Sequence, residues 1–288
     1  MTEPVSTDNR CYRHPEREAY ISCQRCGRKI CPDCMRDASV GFHCPECVAE
    51  GAKSVRAPRT LAGGAVSARQ GIVSMVLIGT NVAVFVLMLA TGDRTSPLFE
   101  QGAMFALSLR GQGGDLLTGV ADGGYWRLLT SAFLHQGTLH ILFNMYALYL
   151  FGPLVEQALG IRRFIASYFS MAIFASVFVY WLSGPATVTV GASGAIFGLF
   201  AMALVLLIRA KQDVTFLLVM LAINAVISLQ GNISWQGHLG GFVAGVILGL
   251  TFAYAPRERR TQIQLLVFAA MWIGIVAALV IRTGQLTA

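Results

Sequence analysis

The sequence predicts an all-α polytopic membrane bundle of seven transmembrane helices, preceded by a small zinc-binding module. Three observations carry that prediction. Charged residues make up only 13% of the 288 positions, against roughly a quarter in an average soluble domain. From residue 72 onward the chain is a succession of apolar runs, most of them close to the ~20 residues a bilayer-spanning helix needs. All seven cysteines lie between Cys11 and Cys47, so their chemistry belongs to the polar N-terminal segment. A hydrophobic share of 55% and a mean hydropathy of +0.60 exclude a disordered chain. The 30 glycines show no collagen period.

Residues 1–58 are polar, rich in Cys, Arg and Glu, and too few to hold a fold by core burial alone. Their spacing offers a staple: Cys11-x2-His14, Cys23-x2-Cys26, Cys31-x2-Cys34 and Cys44-x2-Cys47 are pairs of the kind that close a tetrahedral zinc site from a tight turn. Eight ligands make two structural Zn2+ sites. Only four residues separate Cys26 from Cys31, which favours interleaving: Cys11, His14, Cys31 and Cys34 on one ion, and Cys23, Cys26, Cys44 and Cys47 on the other. Other pairings stay open, and His43 stands beside Cys44 as an alternative ligand. An odd cysteine count, a histidine completing one pair and a reducing compartment argue against disulfides. Over residues 9–50 the run resembles a B-box-type zinc finger, which implies protein binding or regulation through a cytoplasmic partner.

Residues 59–71, small and glycine-containing, read as a flexible linker. The apolar runs then fall at 72–91, 138–157, 161–183, 193–209, 213–230, 237–255 and 264–282. The first follows a long polar segment, unlike a cleavable signal. Lys and Arg set the orientation, because cytoplasmic segments carry their excess. Of 22 such residues, 18 fall in segment 1–71 or in the alternate connections holding Arg162, Arg163, Arg209, Lys211, Arg257, Arg259 and Arg260. The chain is therefore expected as a multi-pass cell-membrane protein with a cytoplasmic N-terminus and an outside C-terminus. The net charge of +7 is then mostly a topology signal, and no nucleic-acid partner is expected.

Polar side chains inside membrane helices are costly and tend to be functional. His135, His140 and His238 all lie in the apolar part. His140 and Asn144 sit one turn apart on one helix face. Ser193 stands among small residues in Gly191-Ala192-Ser193-Gly194, which leaves room for a reacting carbonyl. Gly237, Gly241, Gly245 and Gly249 form a stripe beside His238, and such stripes let helix backbones approach closely. Close approach is what a hydroxyl nucleophile needs from a base on another helix. With the inferred topology, Ser193, His238, His140 and Asn144 all fall at similar depth on the outer side. Taken singly, each has a plainer explanation: a serine or asparagine as interhelical glue, a glycine stripe as packing, a histidine as a buried hydrogen-bonding group. Their coincidence at one depth favours a site.

Trp126-Arg127, His135, His140-x3-Asn144, Gly152-x3-Glu156-x3-Gly160, Gly191-x-Ser193-Gly194 and His238-x2-Gly241-x3-Gly245 resemble the motif set of rhomboid intramembrane serine proteases, in order, over residues 72–255. The resemblance implies Ser193 as nucleophile and His238 as general base of a dyad without a carboxylate. It implies an oxyanion hole from His140, Asn144 and the Ser193 N–H. Arg127 and Glu156 are expected to brace the loop between the first two spans. Residues 256–288 correspond to the inner loop and extra seventh helix of the six-plus-one form. Phe197 departs from the tyrosine that many members carry there; its ring can still stack on His238.

No catalytic cofactor is expected. The implied substrates are transmembrane proteins within the lipid bilayer, cut where their helices unwind near the outer end. The connection 92–125, with Leu98, Phe99, Met104, Phe105, Leu107 and Leu109, is apolar enough to lie in the outer leaflet beside the substrate's route. Two other classes fit some of these residues: a non-catalytic rhomboid-like binder of membrane clients, and a transporter or receptor whose histidines relay protons.

Overall fold

The computed structural model describes residues 9–54, 59–66, 71–229 and 233–288, and the chain divides into two units, Met1–Pro58 and Arg59–Ala288. In the first, two antiparallel hairpins pair β1 (Ile21–Ser22) with β2 (Lys29–Ile30) and β3 (Arg36–Asp37) with β4 (Phe42–His43). Helix α1 (Pro45–Ser54) closes the unit. Its core is little more than Ala19, Ile30 and the buried cysteines, in keeping with a unit too small to rely on apolar burial.

The second unit is a helical bundle. It contains α2 (Ile72–Ala90), α3 (Pro97–Gly102), α4 (Arg127–Thr130), α5 (Thr138–Leu159), α6 (Ile161–Leu182), α7 (Ser193–Arg209), α8 (Thr215–Ser228), α9 (Trp235–Tyr254) and α10 (Arg260–Thr287). A short hairpin, β5 (Leu109–Arg110) with β6 (Leu116–Leu117), lies between α3 and α4. Among the described residues, α2, α5, α6, α9 and α10 are long and apolar enough to cross a membrane. The other two long apolar helices are shorter. At 17 residues, α7 is about 25 Å long, less than the ~30 Å hydrocarbon thickness. It can stop short because Ala195 through Ala203 are all buried: protein, not lipid, surrounds it, and irregular backbone is tolerated there. The fifth expected run, 213–230, is helical over Thr215–Ser228, and residue 230 lies outside the described residues.

Between α5 and α6 the turn is made by Gly160 alone, at φ +82°, a left-handed conformation that favours glycine. The core joins Leu148, Phe151, Phe164, Tyr168, Met171, Phe200 and Phe252 from α5, α6, α7 and α9. Helix α10 packs on α6, with Trp272 Nε1 donating to Ser170 Oγ (3.1 Å) and Trp181 Nε1 donating to the Ala278 carbonyl (3.0 Å).

Two segments differ from expectation. Residues 59–66, expected to be linker, form a turn closed by an Arg59–Ala65 bridge. Ala62 is fully buried, its N–H donates to the Ala158 carbonyl, and its own carbonyl accepts from Gln264 Nε2. Residues 67–70 lie outside the described residues. The connection 92–125 keeps most of its apolar side chains inside: Phe99, Met104 and Phe105 are buried, and of the six apolar residues that marked it for the outer leaflet only Leu98 is exposed. A long connection must satisfy its own backbone, and here it does so by folding around Arg127.

Candidate active site and metal centres

Ser193 is the first residue of α7 and His238 lies in the first turn of α9. Glycine decides how close they come. A methyl at Gly241 would overlap the Gly194 carbonyl, and one at Gly245 the Gly198 carbonyl. A methyl at Gly198 would stand 2.5 Å from Met171 Sδ and 3.0 Å from the Gly241 carbonyl oxygen. The α7 and α9 backbones therefore touch over two turns, with no side chain between them. Ser193 Oγ reaches His238 Nε2 at 2.8 Å, within the range where a hydroxyl can pass its proton to an imidazole. Phe197, one turn below Ser193, stacks on the His238 ring with centroids 4.0 Å apart and planes 11° from parallel.

His140 approaches from α5. Gly191, at φ +128°, precedes the serine, and a side chain there would come within 2.8 Å of His140 Nε2. His140 Nδ1 accepts from the Gln136 N–H at 3.4 Å, so its proton belongs on Nε2, on the side of Ser193. Asn144 is buried, and its amide donates to the His140 carbonyl at 2.8 Å, leaving one N–H to spare. The start of α7 adds N–H groups without intrahelical acceptors and the positive end of the helix dipole. His135 does not join the dyad: it is fully buried, and its Nε2 accepts from the Ala192 N–H at 3.5 Å, steadying the loop that delivers Ser193.

The bracing residues act at opposite ends. Arg127, 1% exposed, donates from Nε to the Thr118 carbonyl and from Nη1 to the Glu100 and Ala103 carbonyls, and covers the Phe105 ring at 4.0 Å. It ties down the connection between α2 and α5, which in turn bridges Met104 to Thr189 beside the serine loop. Glu156 touches a different place. Its carboxylate accepts from the Val73 and Ser74 N–H groups and from Ser74 Oγ, capping the start of α2 rather than bracing the loop. The reason is electrostatic: a buried carboxylate is best satisfied by the unpaired N–H groups of a helix N-terminus. Gly152 makes that approach possible, since a methyl there would lie 2.7 Å from Ser74 Oγ.

Two polar partners escape sequence reasoning. The Ser131 carbonyl accepts from the Gly191 N–H (2.9 Å), and Ser228 Oγ lies 2.5 Å from His238 Nδ1. Ser228 is one serine in an apolar run, and no spacing rule distinguishes it from interhelical glue.

In the N-terminal unit, Cys11, His14, Cys31 and Cys34 form one cluster and Cys23, Cys26, Cys44 and Cys47 another, with the ligand atoms of each within 4.8 Å of one another. His43 is in neither. A tetrahedral zinc ion with bonds of ~2.0 Å to nitrogen and ~2.3 Å to sulfur sets its ligand atoms about 3.5 to 3.8 Å apart. Cys26 and Cys44 Sγ are 3.8 Å apart, and His14 Nδ1 is 3.3 Å from both Cys31 and Cys34 Sγ and 3.9 Å from Cys11 Sγ. Burial pushes the Cys11 and Cys23 thiols up, but backbone N–H donors outweigh it and bring both down to about 6. Burial and neighbouring thiols push Cys34 up to about 11 and Cys47 to about 12. Thiolates so crowded repel until a cation stands among them. The donor set fits zinc.

The Rhomboid domain family model matches residues 122–255. The chain is 35% identical over 148 residues to "Putative rhomboid protease YdcA" of Bacillus subtilis, covering 49% of this chain and 74% of that one. It is 27% identical over 222 residues to Rhomboid protease AarA of Providencia stuartii, covering 65% and 75%. With Rhomboid protease GluP of Bacillus subtilis the identity is 36% over 162 residues, but the match spans only 32% of that protein.

Proposed function

The chain belongs to the rhomboid family of serine intramembrane proteases, and from that premise we propose that Ser193 and His238 are its catalytic dyad, acting on peptide bonds in or near the transmembrane segments of other membrane proteins. The observation that carries this reading is the 2.8 Å Ser193 Oγ–His238 Nε2 contact between two helices joined glycine to glycine. Ser193 attacks the scissile carbonyl as Nε2 takes its proton. The same nitrogen returns the proton to the leaving amine, and a water activated by His238 then releases the acyl group from Ser193. Negative charge on the carbonyl oxygen is met by His140 Nε2–H, the spare Asn144 N–H and the N–H groups opening α7. One such donor is worth about 10² to 10³ in rate. Phe197 holds the imidazole from its face.

Fluorophosphonate labelling tests the reading. The wild-type protein is expected to become covalently labelled and Ser193→Ala to stay unlabelled. Equal labelling of the two would remove Ser193 from the chemistry.

The Lys and Arg distribution supports a cytoplasmic N-terminus and an outside C-terminus, and the substrate would then be cut near the outer end of its span. In the N-terminal unit, Cys11, His14, Cys31 and Cys34 would hold one Zn2+ and Cys23, Cys26, Cys44 and Cys47 the other, as structural ions of a protein-binding module. Structural zinc supplies folding free energy of roughly 10 kcal/mol or more. Treatment of the full-length protein with a strong chelator is expected to make residues 11–47 protease-sensitive. Fluorophosphonate labelling of Ser193 should persist, because no dyad atom depends on the metal. Protection of 11–47 that survives metal removal would argue against the zinc assignment.

A further inference from the structure

We propose that Ser228 is the positioning residue for His238, its hydroxyl accepting a hydrogen bond from Nδ1–H and so holding the ring in the tautomer whose Nε2 can take the Ser193 proton. The inference rests on the dyad reading above and adds a third member to it, contributed by α8.

The case is a count of hydrogens. Ser228 Oγ lies 2.6 Å from the Asn224 carbonyl oxygen, one turn earlier on α8, and 2.5 Å from His238 Nδ1. A hydroxyl has one hydrogen to donate, and a carbonyl can only accept. That hydrogen is therefore committed to Asn224, and what Ser228 Oγ presents to the imidazole is a lone pair. Two lone pairs at 2.5 Å would repel, so Nδ1 carries the proton. A neutral imidazole has a single N–H, which leaves Nε2 as an acceptor, facing Ser193 Oγ at 2.8 Å. Among the described residues, no carboxylate hydrogen-bonds to His238, so this hydroxyl stands where a classical triad places an aspartate.

Burial points the same way. On α8 the large side chains Phe216, Leu218, Val219, Ile223, Val226 and Ile227 are exposed, whereas Leu217 and Ser228 are buried. A serine buried in a helix otherwise turned outward is held by its polar contact, since it has little apolar surface to gain from burial. Ser228 is also the last residue of α8, so its hydroxyl lies at the negative end of the helix dipole. As Nε2 takes the proton and the ring becomes positive, the chain His238 Nδ1–H to Ser228 Oγ–H to the Asn224 carbonyl polarises in the direction that stabilises it. The Ser193 O–H bond breaks, the Nε2–H bond forms, and the Ser228 hydrogen stays where it was.

Saturation kinetics of fluorophosphonate labelling on the full-length protein separate this role from packing, because they give a maximal inactivation rate and a probe-binding constant. Ser228→Ala is expected to lower the maximal rate about tenfold, the worth of one neutral hydrogen bond, with probe binding unchanged. Ser228→Thr keeps the hydroxyl and is expected to restore the rate to within about twofold of wild type. Leu217→Ala removes the other buried anchor of α8 and should lower the melting temperature without lowering the maximal rate. Should Ser228→Ala fail to fold, Ser228→Cys, nearly isosteric but a poor acceptor, takes its place with the same expectation. A Ser228→Ala protein labelled at the wild-type rate, a threonine that does not rescue, or an equal rate loss in Leu217→Ala would each overturn the assignment. Failure of the dyad reading looks different: wild type would then label no faster than Ser193→Ala.

Discussion

Ser193→Ala, His238→Ala and the double variant are expected to cleave a transmembrane reporter at the same background rate, about 10⁴-fold or more below wild type. The equality matters as much as the size. A nucleophile and its base work as a unit, so removing either removes the covalent route, and removing both costs no more. The geometry favours that outcome because Ser193 has no other base beside it among the described residues: His238 Nε2 is 2.8 Å from Oγ, while His140 carries its proton on the Nε2 facing the serine loop, as its Nδ1 accepts from Gln136. Asn144→Ala should fall between wild type and these variants, losing about 10²-fold with the dyad intact, and should still label with fluorophosphonate. The measurement is initial cleavage rate in proteoliposomes, with melting temperatures showing that each variant is folded. A double variant much slower than either single one would mean that Ser193 and His238 act independently, and the dyad would have to be given up.

How much of this could be read in advance depends on the kind of information each residue carries. The bundle was legible because lipid imposes a length and an apolar character on every span, and the fourth expected run, 193–209, has the bounds of the observed α7. The approach of Ser193 to His238 could be anticipated because a serine and a histidine at helix starts, beside glycines, are expensive where apolar residues would suffice. The grouping of Cys11, His14, Cys31 and Cys34 apart from Cys23, Cys26, Cys44 and Cys47 could be anticipated because short separations between the pairs favour interleaving. Partners distant in sequence were not. Glu156 meets Val73 and Ser74, some eighty positions away, and nothing in its local sequence says whether it caps a helix or braces a loop. The packing of the connection 92–125 was hidden for a related reason: composition shows that Phe99, Met104 and Phe105 are apolar, not that Arg127 gathers the carbonyls around them and turns them inward. Ser228 was hidden most completely, since its role is set by the direction of one hydroxyl hydrogen.

Gly241→Val is expected to be nearly as damaging as loss of the nucleophile, without touching a reacting group. Overpacking an ordinary core costs about 1 to 3 kcal/mol because side chains can shift. At Gly241 the obstacle is backbone: even a methyl would overlap the Gly194 carbonyl, and valine adds two carbons more. The only relief is separation of α7 from α9, and that moves Ser193 away from His238. A shift of about 1 Å between catalytic groups can lower a rate by about 10²-fold, so cleavage should fall by at least that much and the melting temperature should drop with it. Gly245→Val, against the Gly198 carbonyl, should behave alike. Gly274→Ala on α10 is the control, since nothing lies within 4 Å of an added methyl there, and it should be indistinguishable from wild type in both measurements. The comparison separates two uses of glycine that look the same in a membrane sequence. One is a helix position where a small residue happens to be tolerated; the other is a contact between backbones that the chemistry cannot do without. If Gly241→Val kept wild-type cleavage, the two helices would not be set by their glycines, and the distance between Ser193 and His238 would need another cause.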